Sequence, residues 1–135
     1  MDAALEQLVW ERAKGRCEYC QFPADIALLP FQLDHIIAEK HRGPTAAENL
    51  ALSCERCNSH KRPNIAGYLE GNHVRLFNPR LDRWSDHFEW DGPLLLGKTP
   101  IGVVTIEVLA INLPYRVALR SALIAEGVFP PTDGE

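Results

Sequence analysis

The chain has no long apolar run. Its longest candidates, "PLLLG" (93–97) and "IEVLAINL" (106–113), fall far short of the roughly 20 residues a membrane-crossing helix needs. A membrane partner is therefore not expected. The first residues, "MDAALEQLVWERAKGRC", offer neither a basic n-region nor an apolar h-region. No secretory leader is expected, and the expected compartment is the cytoplasm. There is no internal repeat and no low-complexity segment, which excludes solenoids and disordered linkers. Cationic excess is also missing: the net charge is −4, which weighs against a surface that is basic all over. Cysteine is scarce, with four in 135 residues, too few for a disulfide-built scaffold. What remains is ordinary, 46 % apolar and 24 % charged, the composition of a globular chain of one-domain size.

The four cysteines fall into two pairs, "CEYC" (Cys17, Cys20) and "CERC" (Cys54, Cys57). In a reducing compartment disulfides are disfavoured, and two C-x-x-C knuckles read as a four-sulfur zinc site. Two intervening residues let a tight turn aim both sulfurs at one point. The segment between Cys20 and Cys54 is then looped out and pinned at its base. Redox pairs or free core thiols are the competing readings.

Inside that loop lies "LDHIIA" (33–38), an acid and an imidazole side by side in an apolar run. "ALLPFQLDHII" reads as a strand, with Pro30 near its start or on an edge. "AEKHRGPTAAE" reads as a polar loop broken at Gly43-Pro44. "NLALSC" is a short alternating strand, and "ERCNSHKR" a short helix closed by Pro63. Strand, loop, strand and helix make a ββα unit. Upstream, Asp2 caps a helix over 3–14, with Leu5, Leu8, Val9 and Arg12 on one face and Gly15 as its stop. Downstream, "VRLFNP" reads as a strand and "HFEWDGPLLLG" as a hairpin turning at Asp91-Gly92. Thr99 caps and Pro100 opens a helix presenting Ile101, Val104, Val108 and Ile111. A last helix covers 115–126 and ends at Gly127, and the tail "VFPPTDGE" is expected to fray.

A carboxylate and an amide oxygen are hard ligands suited to Mg²⁺. A neutral imidazole beside such an ion can deprotonate a water. Together they suit attack on a phosphodiester with the metal stabilising the leaving oxygen. "CEYC…LDHIIA…ENLALSCERCNSHK" resembles the HNH endonucleases, the ββα-metal (His-Me finger) nucleases, over about residues 12–62. The resemblance implies His35 as general base and Asp34 as a ligand of the catalytic Mg²⁺ or Mn²⁺. It implies Asn49 as the residue bracing the loop that carries the histidine. Asn58 stands where many members have histidine and is the implied second ligand, with His60 a weaker candidate two residues on. Lys61 matches the family's helix lysine, near phosphate or bracing the fold. Arg62 and Arg56 beside it are expected to meet substrate. Departures are Ala38, where proline is common, and "HRGPT", where a Gly-Gly is common.

The expected architecture is therefore α+β: a ββα-metal core pinned by a four-cysteine zinc site, a helical N-terminus, and a C-terminal hairpin-plus-helices extension. Residues 1–64 would form the nuclease core and 65–135 an extension packed on it, in one compact domain. The expected partner is DNA, met mostly at phosphates, with RNA less favoured because no stacking platform is evident. One site cuts one strand, so a double-strand break calls for a second event or a homodimer. The alternative is a non-catalytic zinc module that binds nucleic acid or protein, favoured by the acidic balance. Arg75, Arg80 and Arg83 are candidates for phosphate, and Arg80, Trp84 and His87 for a substrate groove. Packing of Trp84, Phe88 and Trp90, with His87 as a satisfied polar contact, is the better reading of that stretch.

Overall fold

The structure, a computed structural model, describes residues 1–131. Helix α1 (Ala3–Ala13) starts where Asp2 accepts a hydrogen bond from Leu5 N at 2.7 Å, which satisfies one of the free N–H groups of the first turn. It ends through two left-handed residues, Lys14 and Gly15, rather than at the glycine alone. Of its expected apolar face, Val9 is fully buried and Leu8 is exposed. Arg12 reaches across to the carbonyls of Ala47 and Leu50.

The ββα unit consists of β1 (Gln32–His35), β2 (Leu50–Ser53) and α2 (Glu55–Lys61). The strands are antiparallel, with Asp34 opposite Ala51 and His35 opposite Leu50. β1 is shorter than its apolar run suggested. Residues 27–31 are irregular, and Leu28 and Leu29 point outward. β2 does not alternate in burial, because all four of its residues are buried. α1 packs against it, and the first knuckle pairs with its free edge through Glu18 N to Leu52 O and Leu52 N to Glu18 Oε1.

Beyond residue 64 the described residues form two hairpins and three helices. β3 (Ala66–Leu69), unmarked in the sequence reading, pairs with β4 (Asn72–Arg75). Their two-residue turn, Glu70-Gly71, has positive φ at both positions, the geometry that matches strand twist. A short helix α3 (Trp84–His87) leads into β5 (Phe88–Asp91) and β6 (Leu94–Gly97). Asp91 pairs with Leu94, so this hairpin turns at Gly92-Pro93, one residue later than expected. Helix α4 (Pro100–Val108) is capped by Thr99 as expected, its hydroxyl accepting from Gly102 N. It lies so close to the hairpin that a Cβ on Gly102 would sit 2.1 Å from His87 O. Helix α5 is Pro114–Ala125. The expected fraying fails at Phe129, which is buried between Phe22 and Trp90. Residues 132–135 of that tail lie outside the described residues. The "FEW" aromatics pack inward, with Trp84, Phe88, Phe77 and Trp90 in mutual ring contact.

One apolar core runs through the molecule, drawing on Val9, Tyr19, Leu50 and Leu52 as well as Phe77, Phe88, Leu95, Val104 and Leu109. At its centre the sulfurs of Cys17, Cys20, Cys54 and Cys57 lie within 4.8 Å of one another, all buried. A tetrahedral zinc with bonds of about 2.3 Å places its sulfurs roughly 3.8 Å apart, and the Cys20–Cys54 separation is 3.7 Å. In each knuckle the second cysteine's N–H points at the first one's sulfur, at 3.4 Å. Burial pushes the Cys17 and Cys57 thiols well up. A bound dication reverses that penalty, because thiolate is the form it binds. The set fits zinc.

Purified protein is expected to contain one zinc per chain by elemental analysis. Binding of structural zinc is worth roughly 10–16 kcal/mol in small zinc domains. Stripping it, or replacing Cys54 by Ser, is therefore expected to abolish the cooperative unfolding transition. A metal-free protein that kept its transition would remove zinc from the fold's essential parts.

Candidate active site

β1 stops at His35, and the chain then climbs through a loop before returning as β2. Asn49, 5 % exposed, holds that loop shut. Its Oδ1 accepts from Ile37 N at 2.9 Å, and its Nδ2 donates to Ile37 O at 3.0 Å and to Pro44 O at 2.8 Å. One amide thus clamps both limbs of the loop. Gly43 is required at the crossing, since a Cβ there would lie 1.7 Å from Ile37 O. The side chain of Asn49 is spent on this clamp and is absent from the cleft lining. Its place is that of a positioning residue.

Asp34 and His35 are neighbours on a strand whose residues alternate in direction. Because β1 ends there, both nevertheless line one open cleft of about 670 Å³, together with Ala38, Glu39, Asn58 and Arg62. Asp34 is 6 % exposed. Its Oδ2 accepts from the Tyr19 hydroxyl at 2.8 Å and lies 3.1 Å from Lys61 Nζ. Burial raises its pKa, against the lowering pull of Lys61 and the Tyr19 hydrogen bond. Oδ1 carries only a 3.5 Å contact to Lys61, so it retains lone pairs for another partner. His35 keeps its ring at the cleft surface, with Nε2 2.8 Å from Thr45 Oγ1. Asn58 sits in the first turns of α2, half-buried, and its side chain makes no hydrogen bond within the described residues.

Three expected site residues are placed elsewhere. Lys61 does not face phosphate. It is 2 % exposed, and its ammonium is satisfied by Asp34 and by the carbonyls of His35 and Ile36. The bracing role is the one the geometry allows, because a buried ammonium needs every donor met. Arg56 lies on a different groove, its guanidinium over the Tyr115 ring at 5.2 Å. His60 does not line the cleft. Among the downstream arginines, Arg75 is held by two bonds to Asp82 at 2.7 and 2.8 Å. Arg80 is paired with Glu18 and bonded to Leu50 O. Both are structural ties. His87 is satisfied by Thr99 Oγ1 at 2.6 Å.

Two contributors escaped the sequence reading. Tyr19, inside the first knuckle, hands a hydrogen bond directly from the sulfur cluster's turn to Asp34. Arg116 on α5 points its guanidinium at Cys57 Sγ, 3.2 Å away, and also bonds Leu109 O. Each is a lone polar residue in an unremarkable context, with no spacing that marks it.

The Lys61–Asp34 pair yields a measurable expectation. Removing one member of a buried ion pair costs about 3–5 kcal/mol. Lys61→Met should lower unfolding free energy by roughly that order, less whatever Asp34 recovers by protonating. The double variant Lys61→Met, Asp34→Asn should regain part of the loss. Denaturant titration of zinc-loaded protein separates the cases, since a solvent-facing phosphate contact would change stability by only about 0.5 kcal/mol.

Residues 17–64 match the HNH endonuclease family. The Septu protein PtuB of Bacillus thuringiensis is 28 % identical over 117 residues, covering 84 % of this chain and 43 % of that protein. The chain thus spans less than half the length of that relative, and the similarity runs beyond the HNH segment. No solved structure gives a significant match. The residues that match the HNH endonuclease family, 17–64, hold all four cysteines and the cleft residues His35 and Asn58.

Proposed function

We propose that the protein is a metal-dependent DNA endonuclease that hydrolyses phosphodiester bonds and nicks one strand per site. The observation that carries this reading is the single cleft in which Asp34, His35, Asn58 and Arg62 meet. Asp34 Oδ1 and the Asn58 amide oxygen are the groups that would hold Mg²⁺ or Mn²⁺. When bound, such an ion supplies positive charge to the phosphoryl and leaving oxygens. His35 takes the proton of the attacking water. Asn49 keeps the loop, and with it the histidine, in register. Lys61 and Tyr19 fix the rotamer of Asp34 from behind by engaging Oδ2, which leaves Oδ1 with only a long contact.

Recognition rests on local charge, because the chain as a whole is acidic. Arg62 lines the cleft, and Lys40 and Arg42 are exposed on the loop beside it. Such side chains meet phosphates and carry no base readout, so intrinsic sequence preference should be low. Arg62→Ala is expected to weaken DNA binding similarly on all sequences and to reduce the salt slope of log K by about one. An unchanged slope would take Arg62 out of the interface.

The central test is plasmid cleavage by zinc-loaded protein in Mg²⁺, Mn²⁺ or EDTA. Wild type should convert supercoiled to open-circular DNA only with the divalent ion. His35→Ala should lose at least about 100-fold of that rate while keeping its zinc and its unfolding midpoint. Cleavage that persists in the variant would sink His35 as base. Absence of cleavage in any metal would favour the non-catalytic binding module.

A further inference from the structure

The loop "EKHRGPT" (39–45) brings a hydroxyl, and behind it a carboxylate, onto the Nε2 edge of the His35 ring. Thr45 Oγ1 lies 2.8 Å from His35 Nε2, and the same hydroxyl lies 3.4 Å from Glu39 Oε2. Glu39 Oε2 is itself 3.8 Å from Nε2, beyond a direct hydrogen bond. The position of Thr45 follows from the clamp already described. Asn49 Nδ2 holds Pro44 O, the carbonyl immediately before Thr45. Gly43 lets the chain cross against Ile37 O. The return limb is thereby folded back over the ring.

A carboxylate can only accept, and a hydroxyl has one hydrogen. If the Thr45 hydrogen goes to Glu39, the lone pairs of Oγ1 are left to face Nε2. That arrangement is satisfied only when Nε2 carries the hydrogen. The ring's basic lone pair then lies on Nδ1, which has no hydrogen-bond partner among the described residues. The reverse order, Thr45 donating to Nε2, would strand the hydrogen away from Glu39 and place the ring hydrogen on Nδ1. We infer that Thr45, backed by Glu39, is a positioning pair that holds His35 in its Nε2–H tautomer and so makes Nδ1 the nitrogen that takes the proton from water. This rests on the reading of His35 as general base. It assigns a role to Thr45, in the "HRGPT" stretch, and to Glu39 just before it.

The two members should differ in weight. The Glu39 side chain is 71 % exposed, so water competes for the Thr45 hydrogen and screens the carboxylate. Thr45 makes the contact to the ring. The dominant effect is expected at Thr45 and a smaller one at Glu39.

The test reads the tautomer first and cleavage second. Imidazole ¹⁵N–¹H two-bond correlations, recorded at a pH where the ring is neutral and assigned with His35→Ala, distinguish Nε2–H from Nδ1–H. Wild type should show Nε2–H. Thr45→Val, which keeps the shape and removes the hydroxyl, should give a mixture. Thr45→Ser should restore the wild-type pattern. Glu39→Ala, a change at an exposed position that spares the fold, should move the population partway toward Nδ1–H. In Mg²⁺-dependent plasmid nicking, Thr45→Val should lower kcat by the same factor, about a few-fold, by which the Nε2–H population falls, with little change in KM, as expected when a base spends time in the wrong tautomer. An Nδ1–H ring in the wild type, or identical tautomer populations in wild type and Thr45→Val, overturns the inference even if the protein cleaves DNA. If the populations shift as described and no variant or wild type cleaves DNA, the Thr45–Glu39 hold on the ring stands and the nuclease reading is the one that fails.

Discussion

Four thiols drawn to within 4.8 Å of one another in a dry core make the interaction on which everything else in the molecule leans. As thiols they are weakly held, and as thiolates they repel. Only a soft dication satisfies all four at once. The two knuckles lie on separate stretches of chain, one leading out of α1 and one opening α2. A zinc ion there would join the N-terminal helix, the strand pair and the second helix at a single point. Arg116 extends the joint to α5, placing a guanidinium against Cys57 Sγ. A full positive charge beside a four-thiolate dianion offsets part of its burial cost and ties the C-terminal helix to the cluster.

From that joint, rigidity passes to the cleft through one short connection. Tyr19 stands between the two cysteines of the first knuckle, and its hydroxyl meets Asp34. Lys61 arrives from the other side, at the end of the helix that the second knuckle opens, and meets the same carboxylate. Each knuckle therefore delivers one group to Asp34. The carboxylate is gripped from behind through Oδ2, and its Oδ1 has only the 3.5 Å contact to Lys61. Such support from the layer behind locks the rotamer of the carboxylate.

The segment beyond residue 64 stands on the first knuckle in the same manner. Arg80 pairs with Glu18, Trp84 Nε1 donates to Tyr19 O, and Trp90 Nε1 donates to Gln21 Oε1. Three consecutive parts of the "NPRLDRWSDHFEW" stretch thus hold the turn that carries two of the sulfurs. Arg80, Trp84 and Trp90 are engaged in support, whereas Arg62 lines the cleft and Lys40 and Arg42 are exposed on the loop beside it.

The linear sequence determined what depends on spacing and on local chemistry. Two C-x-x-C pairs can converge, Asp2 and Thr99 cap, Pro100 opens a helix, and short apolar runs around "LDHII" and "NLALS" pair as strands. All of these act within a few residues, where the sequence is the cause. Tertiary structure decided where long side chains end. Lys61 and Arg80 carry a positive charge as Arg62 does, yet the first two turn to carboxylates of the interior, Asp34 and Glu18, and the third faces the cleft. Charge alone does not separate them; the partners do, and those of Lys61 and Arg80 lie 27 and 62 positions away in the chain. The hairpin turn moved by one residue for a similar reason, since strand register is set by pairing across the whole hairpin rather than by the Asp-Gly dipeptide. Thr45 is the extreme case. Its neighbours in sequence say only that a loop passes, and its place over His35 exists because Asn49 closes that loop and Gly43 leaves room for the crossing.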